Sequence, residues 1–185
     1  MFLNKHFILA FAVVSLFLSA CDTRTIESET NEITYTLDRN EPSAMFWDYA
    51  ASTSMLQTEL SKLASQKTTD TQLLALADSS YLHHAQALRK LKRIAEKYKQ
   101  VQLPDSLTGA DKTIIADFTA LEGEEFKTKY LDYLKSSQRS QIDRYQETLN
   151  ETEDPALREW LQHMTTYLQN QLRYYAAADS VSEEE

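Results

Sequence analysis

Cysteine, glycine and proline are scarce in this chain, whose 185 residues include one cysteine, two glycines and three prolines. A single cysteine excludes an internal disulfide and any metal centre built on a cluster of cysteines. Two isolated glycines exclude the glycine-rich loops that hold phosphate groups. No nucleophile stands with its base in a recognised motif. We therefore predict a protein that is not an enzyme and has no cofactor.

The N-terminus has the layout of an export signal. An apolar run follows Lys5, from Phe7 to Leu18. This run has about 12 residues, whereas a membrane-spanning helix needs about 20, so we predict a cleaved signal over residues 1–20. The tetrad Leu18-Ser19-Ala20-Cys21 resembles the bacterial lipobox, whose cysteine takes a diacylglycerol. This predicts lipidation of Cys21 and a membrane anchor; the alternative is an ordinary signal with a coincidental cysteine.

The mature chain is strongly acidic. Removal of the signal takes away Lys5 and leaves 18 Lys and Arg against 28 Asp and Glu, a formal charge of −10. Such a surface repels nucleic acid and anionic lipid headgroups at long range, so we expect neither as a partner. Asp22 resembles an inner-membrane retention signal, but sorting rules differ among bacterial groups. The anchor is therefore expected in the cell envelope, in the outer or the inner membrane.

Breaks in the apolar pattern divide the mature chain into three parts. Residues 21–41 are polar and are predicted to be a flexible tether. Residues 42–179 are predicted to form one helical domain, and residues 180–185 an acidic tail. Glycine and proline stand only where periodic segments start or stop, which is typical of a helical bundle. These positions are Pro42, Pro104, Gly109, Gly123 and Pro155.

Four long helices and one short helix are predicted within this domain. The first covers residues 43–66, and Thr69 with Gln72 is predicted to form a capping box that starts the second. A short helix covers residues 111–121, a third long helix follows Gly123, and Asp154 with Pro155 starts the fourth. The predicted core stripe of the first two helices is Phe46, Tyr49, Thr53, Leu56, Leu60 and Leu63, then Ala77, Tyr81, His84, Leu88, Leu91, Ala95 and Tyr98. That of the last two is Phe126, Tyr130, Leu134, Ile142, Tyr145 and Leu149, then Leu157, Leu161, Met164, Leu168 and Tyr175.

The order of these features resembles the bacterial family known as domain of unknown function 4142, over about residues 45–178. The segments that carry the resemblance are residues 55–64, Leu76-Ala77 with His84, Leu103-Pro104, Leu121 and Gly123 ahead of Phe126 and Tyr130-Leu131, and Asp154-Pro155 with Leu157. The resemblance implies an all-α fold, a ferritin-like antiparallel four-helix bundle with one short extra helix. It implies no established activity.

Members of this family commonly carry histidines on the second, third and fourth long helices and an acid-rich segment on the first. The matching positions hold His84, Gln138 and Gln171, and on the first helix Gln57 and Glu59. Only His84 and Glu59 are therefore weak candidates for a metal or ligand site.

A dimetal site of the ferritin-like kind is not expected, because the chain contains no Glu-x-x-His motif. Counted from a turn near Thr68, Glu59 and His84 differ in depth by roughly 10 Å along the helix axis. His84 is therefore interpreted as a buried neutral imidazole, with a metal ligand or proton-responsive group as the alternative. We expect its neighbour His83 to be solvated.

A basic stretch stands out in the second helix, at Arg89, Lys90, Lys92, Arg93, Lys97 and Lys99. These cations offset the helix macrodipole and are expected on a solvated face. The alternative is contact with an anionic lipid or glycan surface.

Two functions remain in view. The first is a lipid-anchored envelope protein that acts through a protein or surface partner in envelope maintenance or stress tolerance. The second is a ferritin-like bundle that binds a metal or a small apolar molecule around His84 and Glu59.

Overall fold

In the computed structural model, which describes residues 41–182 and the side chains of residues 41–176, Pro42, Gly109, Gly123 and Pro155 stand at or beside a helix boundary, whereas Pro104 lies within the loop between the second and third helices. The five helices are α1 (Ala44–Lys67), α2 (Thr71–Ala95), α3 (Gly109–Ala120), α4 (Gly123–Glu151) and α5 (Pro155–Ser182). The described residues contain no β-strand. This confirms an all-α bundle of four long helices and one short helix.

Some predictions concern residues outside this part of the chain. They are the signal over residues 1–20, the lipid on Cys21, the tether except for Glu41, and the last three residues of the tail. The described residues all belong to one compact unit. No helix within residues 41–182 combines the length and the hydropathy that crossing a membrane requires.

Short-range chemistry fixes where the long helices begin. Ser43 caps α1 by accepting a hydrogen bond from the Phe46 amide. Asp154 caps α5, accepting from the amides of Ala156 at 2.7 Å and Leu157 at 3.0 Å. The predicted Thr69–Gln72 capping box is wrong, because Asp70 is the cap of α2 and accepts from the amides of Gln72 and Leu73. Asp70 also pairs with Lys127 at 2.7 Å, a contact that links the starts of α2 and α4.

The two hairpins are joined by a long crossover. α1 packs along α2, and α4 along α5, and each pair is antiparallel because its connection is only a few residues long. Residues 96–122, which include α3, connect the two hairpins. Because α2 and α4 start at the same end, as the Asp70–Lys127 pair shows, they run parallel. Two antiparallel hairpins with one long crossover are the connectivity of ferritin-like bundles.

The apolar core consists of two clusters stacked along the bundle. The first lies at the end where α1 begins and includes Phe46, Trp47, Leu91, Tyr145, Leu157, Trp160 and Leu161. The second lies at the opposite end and includes Leu60, Leu73, Phe118, Phe126, Tyr130 and Leu134.

The predicted stripes of α4 and α5 are confirmed apart from Leu149, which is half-buried. The stripes of α1 and α2 are partly wrong. Tyr81 is 38 % exposed, and Tyr49, Thr53 and Leu63 are only half-buried. On α1 the small residues Ala50, Ala51 and Ser54 are fully buried instead. Close packing of α1 against α2 buries these positions, and a pattern based on large apolar residues does not detect them.

Candidate functional site

A buried layer of polar side chains separates the two apolar clusters, and all four long helices contribute to it. Its members are neutral amides, hydroxyls and one imidazole, each at most 8 % exposed. We call this set the polar layer: Ser54 and Gln57 on α1, Ser80 and His84 on α2, Gln138 and Gln141 on α4, and Thr165 on α5.

Hydrogen bonds between the helices show that the layer lies at one depth. Ser61 Oγ donates to Ser80 Oγ at 2.8 Å. Because α1 and α2 are antiparallel, one turn before Ser61 on α1 lies opposite one turn after Ser80 on α2. Gln57 therefore lies opposite His84. Gln57 Nε2 also donates to Ser137 Oγ at 2.8 Å, next to Gln138 on α4. The amide of Gln57, the imidazole and the amide of Gln138 thus belong to one cross-section of the bundle.

Glu59 does not join this cross-section. The Ser61–Ser80 pairing reduces its offset in depth from His84 to two residues, or about 3 Å. The predicted offset of roughly 10 Å is therefore wrong, because it was counted from a turn placed too early. Glu59 is nevertheless separated from His84, since its side chain is exposed to solvent whereas His84 is fully buried. The two weak candidates are not brought together.

The polar layer contains an unusual number of buried atoms without a hydrogen-bond partner in the protein. They include Nδ1 and Nε2 of His84, the Oε1 atoms of Gln57, Gln138 and Gln141, and Oγ1 of Thr165. Buried polar atoms in folded proteins are nearly always paired, because leaving one unpaired costs about 1–3 kcal/mol. The layer therefore presents two donors, the imidazole N–H and the Thr165 hydroxyl, and several acceptors toward the bundle interior.

His84 is held in its neutral form. Complete burial, together with the nearby His83, lowers the pKa of its imidazole to about 3. The ring meets Tyr167 edge to face, with centroids 5.9 Å apart. A neutral imidazole has one donor and one acceptor nitrogen, so His84 can serve a guest molecule in either role.

His83 is not solvated as predicted. Its ring lies parallel to Tyr167 at a centroid distance of 3.4 Å and to His163 at 5.1 Å. Its Nε2 approaches the Met164 sulfur at 3.3 Å. Burial lowers the pKa of His83 to about 4, and His163 adds to this effect. The interface between α2 and α5 thus carries a cluster of rings beside the polar layer.

A resident dimetal centre does not fit these residues. Ferritin-like metal centres use inward carboxylates on four helices, because iron and manganese prefer charged oxygen ligands. The polar layer offers amide and hydroxyl oxygens and one imidazole, none of them charged at neutral pH. Within residues 41–176 no three His, Cys, Asp or Glu side chains are grouped so that they could hold a metal ion. Glu159, one turn before His163, is exposed and pairs with Lys90 at 2.6 Å.

A family model described as Domain of unknown function (DUF4142) matches residues 32–177. The chain belongs to this family. The match covers the whole of the bundle core and also includes residues 32–41, which were predicted to be part of the tether. Neither curated proteins nor solved structures provide a match to the chain.

Not every layer residue of this DUF4142 protein could be found from its sequence. Gln57, His84 and Gln138 were selected through the family resemblance, and all three are in the layer. Gln171 is half-buried, with an unpartnered Oε1. Ser54, Ser80, Gln141 and Thr165 were missed, although polar side chains at core spacing among leucines are a signal for such a layer.

Proposed function

We propose that this DUF4142 protein is a non-catalytic envelope lipoprotein, held on a bacterial membrane by lipid on Cys21. Its helical bundle acts through a protein or surface partner in envelope maintenance or stress tolerance. The observation that carries the proposal is the tetrad Leu18-Ser19-Ala20-Cys21 directly after a short apolar run. The only cysteine of the chain stands at the acceptor position, where an exported protein without disulfides would otherwise hold a spare thiol.

The distance from the anchor to the bundle is limited by the chain between them. Helix α1 begins at Ala44, and the residues from Cys21 to that point span at most roughly 80 Å when fully extended. A lipid-anchored bundle therefore stays close to the membrane surface and meets partners there at a high effective concentration.

The anchor is tested by replacing Cys21 with serine in the full-length chain, expressed in a bacterium with lipoprotein processing. The expected result is loss of the lipid mass, an altered mature size and release from the membrane fraction. Ser15→Ala, which leaves the tetrad intact, is the matched control and should behave as the parent. Unchanged size and fractionation of the Cys21→Ser chain would overturn the proposal.

A second candidate function is a bundle that binds a small molecule around His84. The unpartnered atoms of the polar layer favour it. Since these atoms are neutral donors and acceptors, they suit a small polar guest better than a metal ion or an apolar molecule. Glu59 is on the solvent side and is not part of this candidate.

Native mass spectrometry and metal analysis of untagged protein test this candidate. A bound molecule that is retained in His163→Gln and lost in His84→Leu would support it. A protein that carries neither molecule nor metal would overturn it.

A further inference from the structure

We propose that the outer face of α2 rests on anionic lipid headgroups of the membrane that carries the anchor. This inference depends on the proposed lipid anchor and adds the orientation of the bundle. We define the cationic face as Tyr81, Leu82, Arg89, Lys92 and Arg93.

The cationic face combines exposed apolar and basic side chains on one side of the helix. Leu82 is 57 % exposed and Tyr81 is 38 % exposed, which is unusual for large apolar residues in this bundle. Arg89 follows Leu82 by seven residues and Arg93 follows Arg89 by four, so these three side chains project in the same direction. All three basic residues of the face are exposed. Tyrosine, leucine and cations on one face are typical of helices that lie at a membrane interface.

Acidic residues lie only at the two ends of this face, at Asp78 and Glu96. The sequence has no Asp or Glu between Asp78 and Glu96. The remaining cation of α2, Lys90, turns toward α5 and pairs with Glu159 at 2.6 Å. Lys97, just beyond α2, contacts Asp154 at the start of α5 at 3.6 Å. The outer side of the helix therefore carries three cations with one acid at each of its two ends, so its positive charge is reduced but not cancelled.

The chain from the anchor enters the bundle at one end of α2. Trp47, in the first turn of α1, packs on Tyr98 with ring centroids 5.0 Å apart. Glu41 accepts a hydrogen bond from Gln100 just beyond α2. The anchored end of the bundle is thus the C-terminal end of α2. From there to Leu82 is roughly 20 Å of helix, well within the reach of the chain that begins at Cys21.

The net charge of the mature chain opposes this contact only at long range. Screening limits electrostatic interaction to about 8 Å at physiological salt, so the local charge of a face decides what it meets at contact. A covalent anchor holds the bundle at a high effective concentration next to the membrane, so a weak attraction is enough to bring the face into contact with it. Anionic headgroups attract juxtamembrane Lys and Arg in this way.

The test attaches the chain from Cys21 to Glu185 to vesicles through its single thiol, using a maleimide lipid. The vesicles consist of phosphatidylcholine alone or with phosphatidylglycerol, and the rate of lysine acetylation is followed by mass spectrometry. Phosphatidylglycerol should slow acetylation of Lys92 by at least about threefold. The exposed Lys62 and Lys112 should change little, and added salt should restore the rate at Lys92.

Charge-reversed variants supply the control. Arg89→Glu with Arg93→Glu should abolish the protection of Lys92. Lys62→Glu with Lys112→Glu changes the net charge equally and should leave the protection intact.

Unchanged acetylation of Lys92, or equal protection of all exposed lysines, would overturn the inference. Loss of protection in both double variants would overturn it as well. Because the maleimide replaces the natural lipid, these outcomes are independent of whether the cell lipidates Cys21.

Discussion

Lowering the pH from neutral to 5 should destabilise the bundle through His84. The pKa of this imidazole is about 3 in the folded chain and about 6.5 when unfolded. Between these values the unfolded state binds one more proton, so the free energy of unfolding falls as the pH falls. The stability is fully present above pH 6.5 and is lost by about 1.4 kcal/mol per pH unit below it. At pH 5 the loss from His84 is about 2 kcal/mol, a large part of the stability of a typical domain.

Urea denaturation followed by circular dichroism at several pH values measures this loss. His84→Gln keeps a buried polar side chain but cannot titrate, so its stability should depend less on pH by about 2 kcal/mol between pH 6.5 and 5. His83 has a pKa of about 4, so it contributes a loss of the same sign over this pH range, reduced by solvent because the ring is only half-buried. This loss is present in both proteins. His163→Gln, at an exposed position, should retain the dependence due to His84. The reasoning is refuted if His84→Gln and the parent chain show the same dependence on pH.

Three further substitutions should change the free energy of unfolding, measured by urea denaturation at neutral pH. Leu161→Ala should lower the free energy of unfolding by about 2–5 kcal/mol, because Leu161 is fully buried. Leu82→Ala, at an exposed position, should lower it by less than about 0.5 kcal/mol. Equal effects of the two substitutions would contradict the assigned core. Asp154→Ala should cost about 1–2 kcal/mol, because it removes the cap of α5 and the acceptor of the Tyr98 hydroxyl; an unchanged stability would argue against the cap. Gly123→Ala should cost about 1–2 kcal/mol, because φ is +54° there and a side chain meets no new contact; a stabilised variant would exclude this conformation.

Local chemistry made the helix boundaries predictable. Proline at the first helical position and a preceding carboxylate define the start of α5 almost on their own, as Pro155 and Asp154 show. The start of α2 was misplaced because Thr69 and Asp70 are both capping residues. The choice between them depends on Lys127, which is 57 residues away along the chain and pairs with Asp70.

The polar layer was only partly predictable, because it depends on the register between helices. Sequence spacing shows which residues share a face of one helix, but it does not show which residue of the next helix lies opposite. The pairing of Ser61 with Ser80 sets this register for α1 and α2, and two short hydroxyl side chains give little advance indication of it. The exposure of Tyr81 also depends on the arrangement of neighbouring helices. Helices α1 and α5 cover only two sides of α2, and Tyr81 lies outside the covered sides.

The layer also bears on how the four long helices keep their alignment. Leucine-rich interfaces tolerate a slip of one helical turn, about 5.4 Å, because one leucine can replace another. In this bundle such a slip would move His84 and the buried glutamines against leucines, and would break the pairs that Gln57 and Ser61 form across the bundle. A few buried polar side chains thus select one arrangement from several of similar apolar burial, as a single buried asparagine does in coiled coils.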